Sequence, residues 1–594
     1  MVKSRRTKIV ATIGPSSDSE ERLEALLLAG VDVFRLNMSH GDVDSHRQRM
    51  LRIQSVRDRL GSTAAIMLDT RGPEVRLGTF PGGAVNLEVG EHFYLYADAR
   101  EGTRSGASVN WPGLVAASQV GVTLLLDDGN LVMRVVDKTD LALELEVLVG
   151  GELKDRKKVS APGSVWPLPA LSPTDRVILA MGAELGMDYV AASFIRNQED
   201  LTEVRKVLED LHSDALVISK IESPEAITNL EAIIRGSDGV MVARGDLGVE
   251  VPAEQVPDLQ KAIIRGANRQ GIPVITATQM LESMVHQPQP TRAEANDVAN
   301  AIWDGSDAVM LSAETASGQF PVEAVAVMAK LAAYADLHPE YLHRNPWEIV
   351  RVSEAVAKAS AEAAEALGAD AILTVTQSGY TARMLSRSRT KVPIVALSSD
   401  PSVVRRMHLL WGVTPYLMEV ADDTDDMMAK AVDVALSRNA VSVGDMVVFT
   451  AGVPVGVPGT TNLMRIETIS DSALRGQGIS VGPRVRGRVV HMKDVAPRER
   501  PQAPYVLVAH GSDSDRVDVI RNAAAIVAET GGLTSPLAIL GLDFKIPTVV
   551  QVADASSRLK SGQWVLVDAT RGLIYVDGEA MPTSSSVKDV NERR

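Results

Sequence analysis

Lys220 and Glu222 close an apolar run, "ALVISKIE" at 215–222, and Arg244-Gly245-Asp246 closes another, "GVMVARGD" at 239–246. Two carboxylates with hydroxyls nearby, and neither histidine nor cysteine, suit a hard oxygen-ligated ion such as Mg2+ or Mn2+. An ammonium beside that ion suits a phosphoryl group whose charge must be neutralised in transfer. Other apolar runs end alike: Arg35, Asn37 and Ser39 in "RLNMS", Asp69 and Thr70 in "LDT", Thr276 and Thr278 in "ITAT", Ser312 and Glu314 in "LSAET". Gly245 would bare the backbone, offering N–H groups to a carboxylate or phosphate oxygen. Singly, each feature has a plainer reading. Lys-x-Glu is an exposed ion pair, Asp246 a helix N-cap, the threonines ordinary strand residues and Arg-Gly-Asp a loop tag. Polar residues ending six apolar runs together point to an active site.

The runs that carry these residues are short and β-branched, and helix-like segments such as "NQEDLTEVRKVLEDL" separate them. Strand–helix alternation means a parallel sheet. Eight such units (strands near 7–14, 31–38, 64–70, 187–194, 215–221, 238–244, 273–279 and 307–315) match a (β/α)8 TIM barrel; an open doubly wound sheet is the alternative. Residues i, i+2 and i+4 of a strand share a face, so in a barrel these polar ends converge on the C-terminal rim. The expected barrel spans 1–71 and 166–345. The interruption at 72–165 alternates apolar and polar residues between Gly/Asp turns, which predicts an inserted all-β domain placed as a lid. A separate α/β domain is expected at 346–472, a β-rich one at 473–582 and a polar tail at 583–594.

The chain has 594 residues, too many for one core, and no cysteine, which excludes disulfides, thiolate metal sites and cysteine nucleophiles. With 76 acidic against 61 basic side chains its net charge is −15, which speaks against general binding to nucleic acid or acidic membranes. No signal peptide and no apolar run of about 18 residues is visible, so no membrane is expected and the cytoplasm is the simplest location.

At these residues the chain resembles the pyruvate kinases. The likeness runs in family order from 7 to about 470 through "TKIVATIGPSS", "FRLNMSHG", "LDTRGPEVRLG", "SKIESPEAI", "GVMVARGDLGVEVP", "ATQMLESM" with "PTRAE", and "SGYTAR". It implies phosphoryl transfer from phosphoenolpyruvate to ADP, giving pyruvate and ATP in glycolysis. By motif, Lys220 would stabilise the migrating phosphoryl group, Arg35 would contact it, and Glu222 and Asp246 would hold Mg2+ or Mn2+. Gly245 and Thr278 would meet the substrate carboxylate, with proton relay through Thr278, water, Ser312 and Glu314. Asn37, Ser39, Asp69 and Thr70 would bind K+, and Arg76, His40 and Lys157 would face the nucleotide. The inserted domain would close over the site and exclude water.

Some residues depart from the family pattern. Arg71 replaces the usual lysine, and Glu74 belongs with potassium dependence while Leu77 is closer to the independent group. "RKKVSAPG" (156–163) departs from the usual hinge around Lys157. The α/β domain resembles the family's effector domain. There Thr376, Ser378, Gly379, Thr381 and Arg383 form a strand-to-helix turn suited to a phosphate of AMP or a sugar phosphate, with 451–462 as a second wall. An ordinary helix cap is the plainer alternative. A homotetramer is implied. The last domain resembles the swivelling phosphohistidine β/α domain of phosphoenolpyruvate-utilising enzymes through "ETGGLTSPLAILGLDFKIPTVV" and "VDATRGLIYVDG". Pro536 stands where that family has its histidine, so no phosphohistidine chemistry is expected, and Thr534 and Ser535 remain as a structural or anion-binding remnant. Two rivals stay in view: a Mg2+-dependent barrel lyase or aldolase acting on pyruvate, and a non-catalytic regulator that binds phosphometabolites.

Overall fold

The computed structural model describes residues 5–127, 129–164, 166–343, 349–421, 423–453, 461–469, 474–480, 483–496, 501–510, 515–570 and 572–576. The expected tail at 583–594 and the centre of the second effector wall, 454–460, lie outside the described residues. The chain forms two compact units: 1–368 with 372–431 and 448–465, and 369–371 with 432–447 and 466–594.

Eight strands close the first unit's barrel: β1 (Lys8–Thr12), β2 (Val33–Asn37), β3 (Ala65–Asp69), β4 (Tyr189–Ala192), β5 (Leu216–Ile221), β6 (Gly239–Ala243), β7 (Val274–Ala277) and β8 (Ala308–Leu311). They pair in chain order, β8 returns to β1, and every pairing is parallel. Their period of two sorts the residues. Val10, Val33, Met67, Ile218 and Met241 fill the interior, while Ile9, Phe34, Leu68, Val217 and Val240 pack outward against the helices. Each interior file turns polar as its strand ends: Val10 leads to Thr12, Val33 to Arg35 and Asn37, Met67 to Asp69, and Ile218 to Lys220 and Glu222.

At the opposite end an aspartate precedes each even-numbered strand and caps its odd-numbered neighbour. Asp32 accepts the Ile9 N–H at 2.7 Å, Asp188 that of Ile66 at 2.9 Å, Asp238 that of Val217 at 2.9 Å and Asp307 that of Val274 at 3.0 Å. Each also pairs with an arginine: Arg5 at 2.7 Å, Arg405 at 2.7 Å, Arg205 at 3.0 Å and Arg389 at 2.7 Å respectively.

The lid between β3 and β4 is a seven-stranded sheet with a separate two-stranded ribbon. In its strand Ala142–Val149, Leu143, Leu145 and Val147 enter the lid core while Glu144 and Glu146 stay outside it. That alternation is why the segment forms a half-buried antiparallel sheet rather than a helix. The helix Pro173–Glu184, which leads back to β4, starts in a capping box between Ser172 and Asp175. Asp175 also takes the Arg71 N–H at 2.8 Å, tying the first lid residues to that helix.

Helices α1 (Val352–Leu367) and α2 (Tyr380–Arg387) belong to the α/β domain, whose strands Ala371–Val375, Ile394–Ser398 and Val413–Leu417 run parallel. The second unit carries an eight-stranded mixed sheet with parallel central strands Val485–His491, Tyr505–Ala509, Ala525–Ala528 and Thr548–Val550. Apolar clusters cover both its faces. It is a β/α sheet, as the resemblance implied, and not a purely β one.

Candidate active site

The polar residues of β1 to β5 form one connected chain across the rim. Arg35 donates to Thr12 Oγ1 at 2.8 Å and to Asp69 Oδ2 at 2.7 Å. Lys220 donates to Ser193 Oγ at 2.8 Å and to Asp69 Oδ1 at 3.2 Å, and its ammonium lies 2.8 Å from Glu222 Oε1. Glu222 Oε2 accepts the Phe194 N–H at 2.7 Å. From the lid, Lys158 reaches Asp246 Oδ1 at 3.2 Å, its ammonium 4.7 Å from the Phe194 ring centroid. Three cations, Arg35, Lys220 and Lys158, thus face three carboxylates, Asp69, Glu222 and Asp246.

Burial and Coulomb attraction oppose each other here. Burial favours the neutral Lys220 amine, but Asp69, Glu222 and Asp246 outweigh it and raise its pKa above the ordinary lysine range. Burial pushes the Glu222 carboxyl up, with Lys220 opposing and Asp246 adding. Asp69 and Asp246 lie below the usual carboxylate range because Arg35 with Lys220, and Lys158 with Lys220, overcome their burial. Lys158 is raised: burial lowers it, but Asp246, Glu74 and Glu222 prevail.

Glu222 is fully buried, and its Oε1, although beside the ammonium, receives no well-directed hydrogen bond. With Asp246 it gives the oxygen-only pair that Mg2+ or Mn2+ takes when substrate oxygens and water complete its shell. No group of three or more His, Cys, Asp or Glu suited to a metal occurs among the described residues. This pair would therefore depend on substrate for its remaining ligands.

Thr278 and Gly245 meet, but not as the sequence suggests. Thr278 has φ +66°, which is rare for a β-branched residue. The Arg244 guanidinium donates to its carbonyl at 2.7 Å, reaches Asp297 at 2.8 Å and so holds the turn. The turn brings Thr278 Oγ1 to accept the Gly245 N–H at 2.8 Å. That N–H, expected to serve a ligand, is already engaged. Thr276 bonds Ser306 at 2.7 Å on the helix side of β7 and takes no part in the rim. Glu314, fully buried, accepts the N–H groups of Leu281 at 3.0 Å and Ser312 at 2.7 Å, which clamps the loops after β7 and β8 together. Burial raises its pKa, and Ser312 Oγ is buried without a partner.

Asn37 and Asp69 are register partners, and Ser39 donates its N–H to Asn37 Oδ1 at 3.1 Å. Thr70 Oγ1 accepts the Ser193 N–H at 3.1 Å. These four predicted K+ residues therefore share the β2–β3 corner, and one carboxylate among neutral oxygens fits a monovalent ion. The predicted nucleotide residues are more scattered. Arg76 pairs with Glu74 at 2.6 Å, Lys157 pairs with Asp127 at 2.6 Å, and exposed His40 bonds through its carbonyl to His46 at 2.7 Å. Lys158, not Lys157, is the hinge lysine that reaches the rim.

In the α/β domain Thr376 Oγ1 accepts the Gly379 N–H at 3.1 Å, and the +80° φ of Gly379 makes that turn. Ser378 is exposed, and Thr381 bonds Thr461 at 2.6 Å. Arg383 lines a cavity with Ser378, Gly379 and Tyr380, its guanidinium 5.3 Å from the Tyr380 ring centroid. In the last domain Pro536 takes the first turn of the helix Pro536–Asp543, Thr534 is exposed, and Ser535 Oγ is buried with no hydrogen-bond partner among the described residues.

Sequence reasoning passed over Thr12, Ser193 and Lys158. Thr12 and Ser193 could have been found by the same alternation, as the polar ends of β1 and β4.

A lidded (β/α)8 barrel with a charged C-terminal rim defines an enzyme class, and comparison with known proteins narrows it. The family described as "Pyruvate kinase, barrel domain" matches residues 4–325, "Pyruvate kinase, alpha/beta domain" matches 354–467, and "PEP-utilising enzyme, mobile domain" matches 501–572. The pyruvate kinase of Geobacillus stearothermophilus is 44% identical over 580 residues, 96% of this chain and 98% of that one. Pyruvate kinase 2 of a Synechocystis species is 43% identical over 590 residues, 98% of each. A solved pyruvate kinase from Cryptosporidium parvum is 36% identical with a TM-score of 0.73, covering 78% of this chain and 96% of that one. The chain belongs to the pyruvate kinase family. It is a phosphotransferase, and nothing in these comparisons supports the lyase, aldolase or non-catalytic readings.

Proposed function

We propose that the rim of this chain carries the phosphoryl group of phosphoenolpyruvate to ADP. The P–O bond to the enol oxygen breaks, a bond to the ADP β-phosphate forms, and the enolate carbon takes up a proton. The observation that carries this reading is the position of Lys220, fixed between Asp69, Ser193 and Glu222. It offers a positioned cation where charge develops on the migrating group. Arg35, held by Thr12 and Asp69, presents its remaining N–H groups to the phosphoryl oxygens. Glu222 and Asp246 would hold Mg2+ or Mn2+, which supplies charge neutralisation and a template for the two oxygens. Thr278 and Gly245 would bind the carboxylate by giving up the bond between the Gly245 N–H and Thr278 Oγ1 and donating to the substrate instead. Thr278 and Ser312 would pass the proton through water, with Glu314 as the positioning residue that holds the Ser312 loop.

K+ at Asn37, Ser39, Asp69 and Thr70, with Glu74 as its marker, completes this reading, as do the nucleotide at Arg76, His40 and Lys157, a homotetramer, and a phosphorylated effector such as AMP or a sugar phosphate at Thr376, Ser378, Gly379 and Thr381. Among the described residues no helix is long and apolar enough to cross a membrane, in keeping with a cytoplasmic glycolytic enzyme. The last domain, with Pro536 in the histidine position, takes no part in covalent transfer. The test is ADP-dependent release of pyruvate, assayed with Mg2+ and with or without K+, AMP and sugar phosphates. Pyruvate release that is independent of ADP, or that proceeds fully after Mg2+ is chelated, overturns the reading.

A further inference from the structure

A second cavity, of about 630 Å3, opens on the first unit at the N-terminal end of the barrel, away from the rim. Six arginines line it: Arg205, Arg235, Arg269, Arg351, Arg383 and Arg387. Arg205 lies within the barrel helix Gln198–Asp210, and Arg235 and Arg269 lie in the last turns of two others. Arg351 precedes α1, and Tyr380, Arg383, Met384 and Arg387 line one face of α2 at the i, i+3, i+4, i+7 spacing of a helix.

A chain with a net charge of −15 has gathered six guanidinium groups in one place with only two carboxylates, Asp238 and Glu354, in the same wall. Both carboxylates are already engaged. Asp238 takes the Val217 N–H at 2.9 Å and Arg205 at 3.0 Å. Glu354 takes the Val350 N–H at 2.9 Å and the Tyr380 hydroxyl at 3.3 Å. Arg205 is thus spoken for, Arg235 pairs with Glu231 at 3.2 Å, and Arg387 donates to the Arg269 carbonyl. The Arg383 guanidinium has no hydrogen bond or ion pair among the described residues, only the Tyr380 ring, and burial lowers its pKa with Asp238 opposing. The Arg269 and Arg351 guanidinium groups are likewise unpaired among the described residues, and both residues are exposed.

Like charges this dense repel one another unless an anion joins them. Planar guanidinium forks match phosphate oxygens in pairs, which ammonium groups do not. The volume falls within the roughly 300–1,000 Å3 of small-molecule sites. We propose that this cavity binds a small metabolite carrying two or more phosphate groups, held chiefly by Arg269, Arg351 and Arg383. None of Thr376, Ser378, Gly379 and Thr381 lines this cavity, yet the same helix serves both places: α2 starts at the turn and presents Tyr380 and Arg383 to the cavity. A bound anion would pin α2 to the barrel helices. The assignment does not depend on the reaction at the rim.

The test is calorimetric titration of the Mg2+-free full-length protein with inorganic tripolyphosphate. We expect saturable binding of one anion per chain and a higher unfolding midpoint in its presence. The double variant Arg269→Gln, Arg351→Gln should bind at least tenfold more weakly. Its unfolding midpoint without anion should be unchanged, since both side chains are exposed. Thr376→Val, in the turn, should bind as the parent does. Displacement by a nucleoside triphosphate or by a sugar bisphosphate tells which kind of metabolite is taken, and displacement by neither overturns the assignment. So does failure of the parent to bind, full affinity in the double variant, which would put the anion at the rim, or loss of binding in Thr376→Val, which would put it at the turn.

Discussion

The two ends of the barrel use similar charges to opposite effect. At the N-terminal end each aspartate holds a strand N–H and an arginine: Asp307, for example, accepts the Val274 N–H and takes both forks of Arg389 at 2.7 and 2.9 Å. At the C-terminal rim the ions are equally close, but oxygens and donors are left over: Glu222 Oε1, Ser312 Oγ and the spare N–H groups of Arg35. A charge pair that also caps a strand holds strands together, whereas a rim with capacity to spare can exchange partners with a substrate. The difference lies in the count of backbone donors. Parallel strands begin with free N–H groups that aspartates can cap, and they end with free carbonyls, which leaves the acidic side chains there to find cations.

The comparison predicts that rim variants lose turnover and base variants lose stability. Lys220→Met should cost at least about 10²–10³-fold in kcat, while retained Mn2+ binding, read by paramagnetic resonance, shows that Glu222 and Asp246 still stand. Near-parental turnover would remove Lys220 from the chemistry. Asp307→Ala leaves the buried Arg389 charge without its carboxylate, with the neutral oxygens of Asn268 and Gly305 left to it, at a cost of about 3–5 kcal/mol. Its unfolding midpoint should fall clearly, while turnover per folded molecule stays. A loss of turnover without loss of stability would erase the distinction between the ends.

A third measurement concerns His408, also at the base. Its Nε2 meets Thr63 Oγ1 at 2.7 Å, and burial drives its pKa down to about 4, with Asp32 opposing and Lys8, Arg57 and Arg5 adding. The folded protein therefore keeps this imidazole neutral where the unfolded chain protonates it, below about 6.5. Its contribution to stability is complete above that pH and is lost as pH falls from about 6.5 towards 4. In His408→Gln that part of the acid dependence should vanish from unfolding curves. An unchanged pH profile would show that the histidine is charged in the fold. The smallest effect is expected at Lys158→Met. Freed of a competing ammonium, Asp246 should bind Mn2+ about two- to fivefold more tightly, the scale of a partly exposed ion pair. Weaker binding would make Lys158 a support of the metal site.

Much of the rim was legible because a period of two needs no partner. Once β2 or β5 is recognised, Arg35 with Asn37, and Lys220 with Glu222, follow from alternation alone. What stayed hidden depended on three-dimensional closure. Lys158 reaches Asp246 only because the lid sheet folds back over β6, and nothing in "RKKV" says which lysine arrives. The Gly245 N–H is taken because Thr278 adopts a left-handed conformation that a β-branched residue does not announce. That Arg383 also faces the arginine-lined cavity depends on its place three residues after Tyr380, on the same face of a helix.

The lid leaves the barrel after β3 and returns at the start of the helix Pro173–Glu184, which crosses back to begin β4. Its two stems are tied there by the Arg71 N–H, which donates to Asp175 at 2.8 Å. A domain rooted so narrowly is a detachable graft: a short turn could splice its stems, and the eight-stranded ladder would close as before. The covering of this catalyst could therefore be exchanged, enlarged or shed in descent without rethreading the scaffold beneath it.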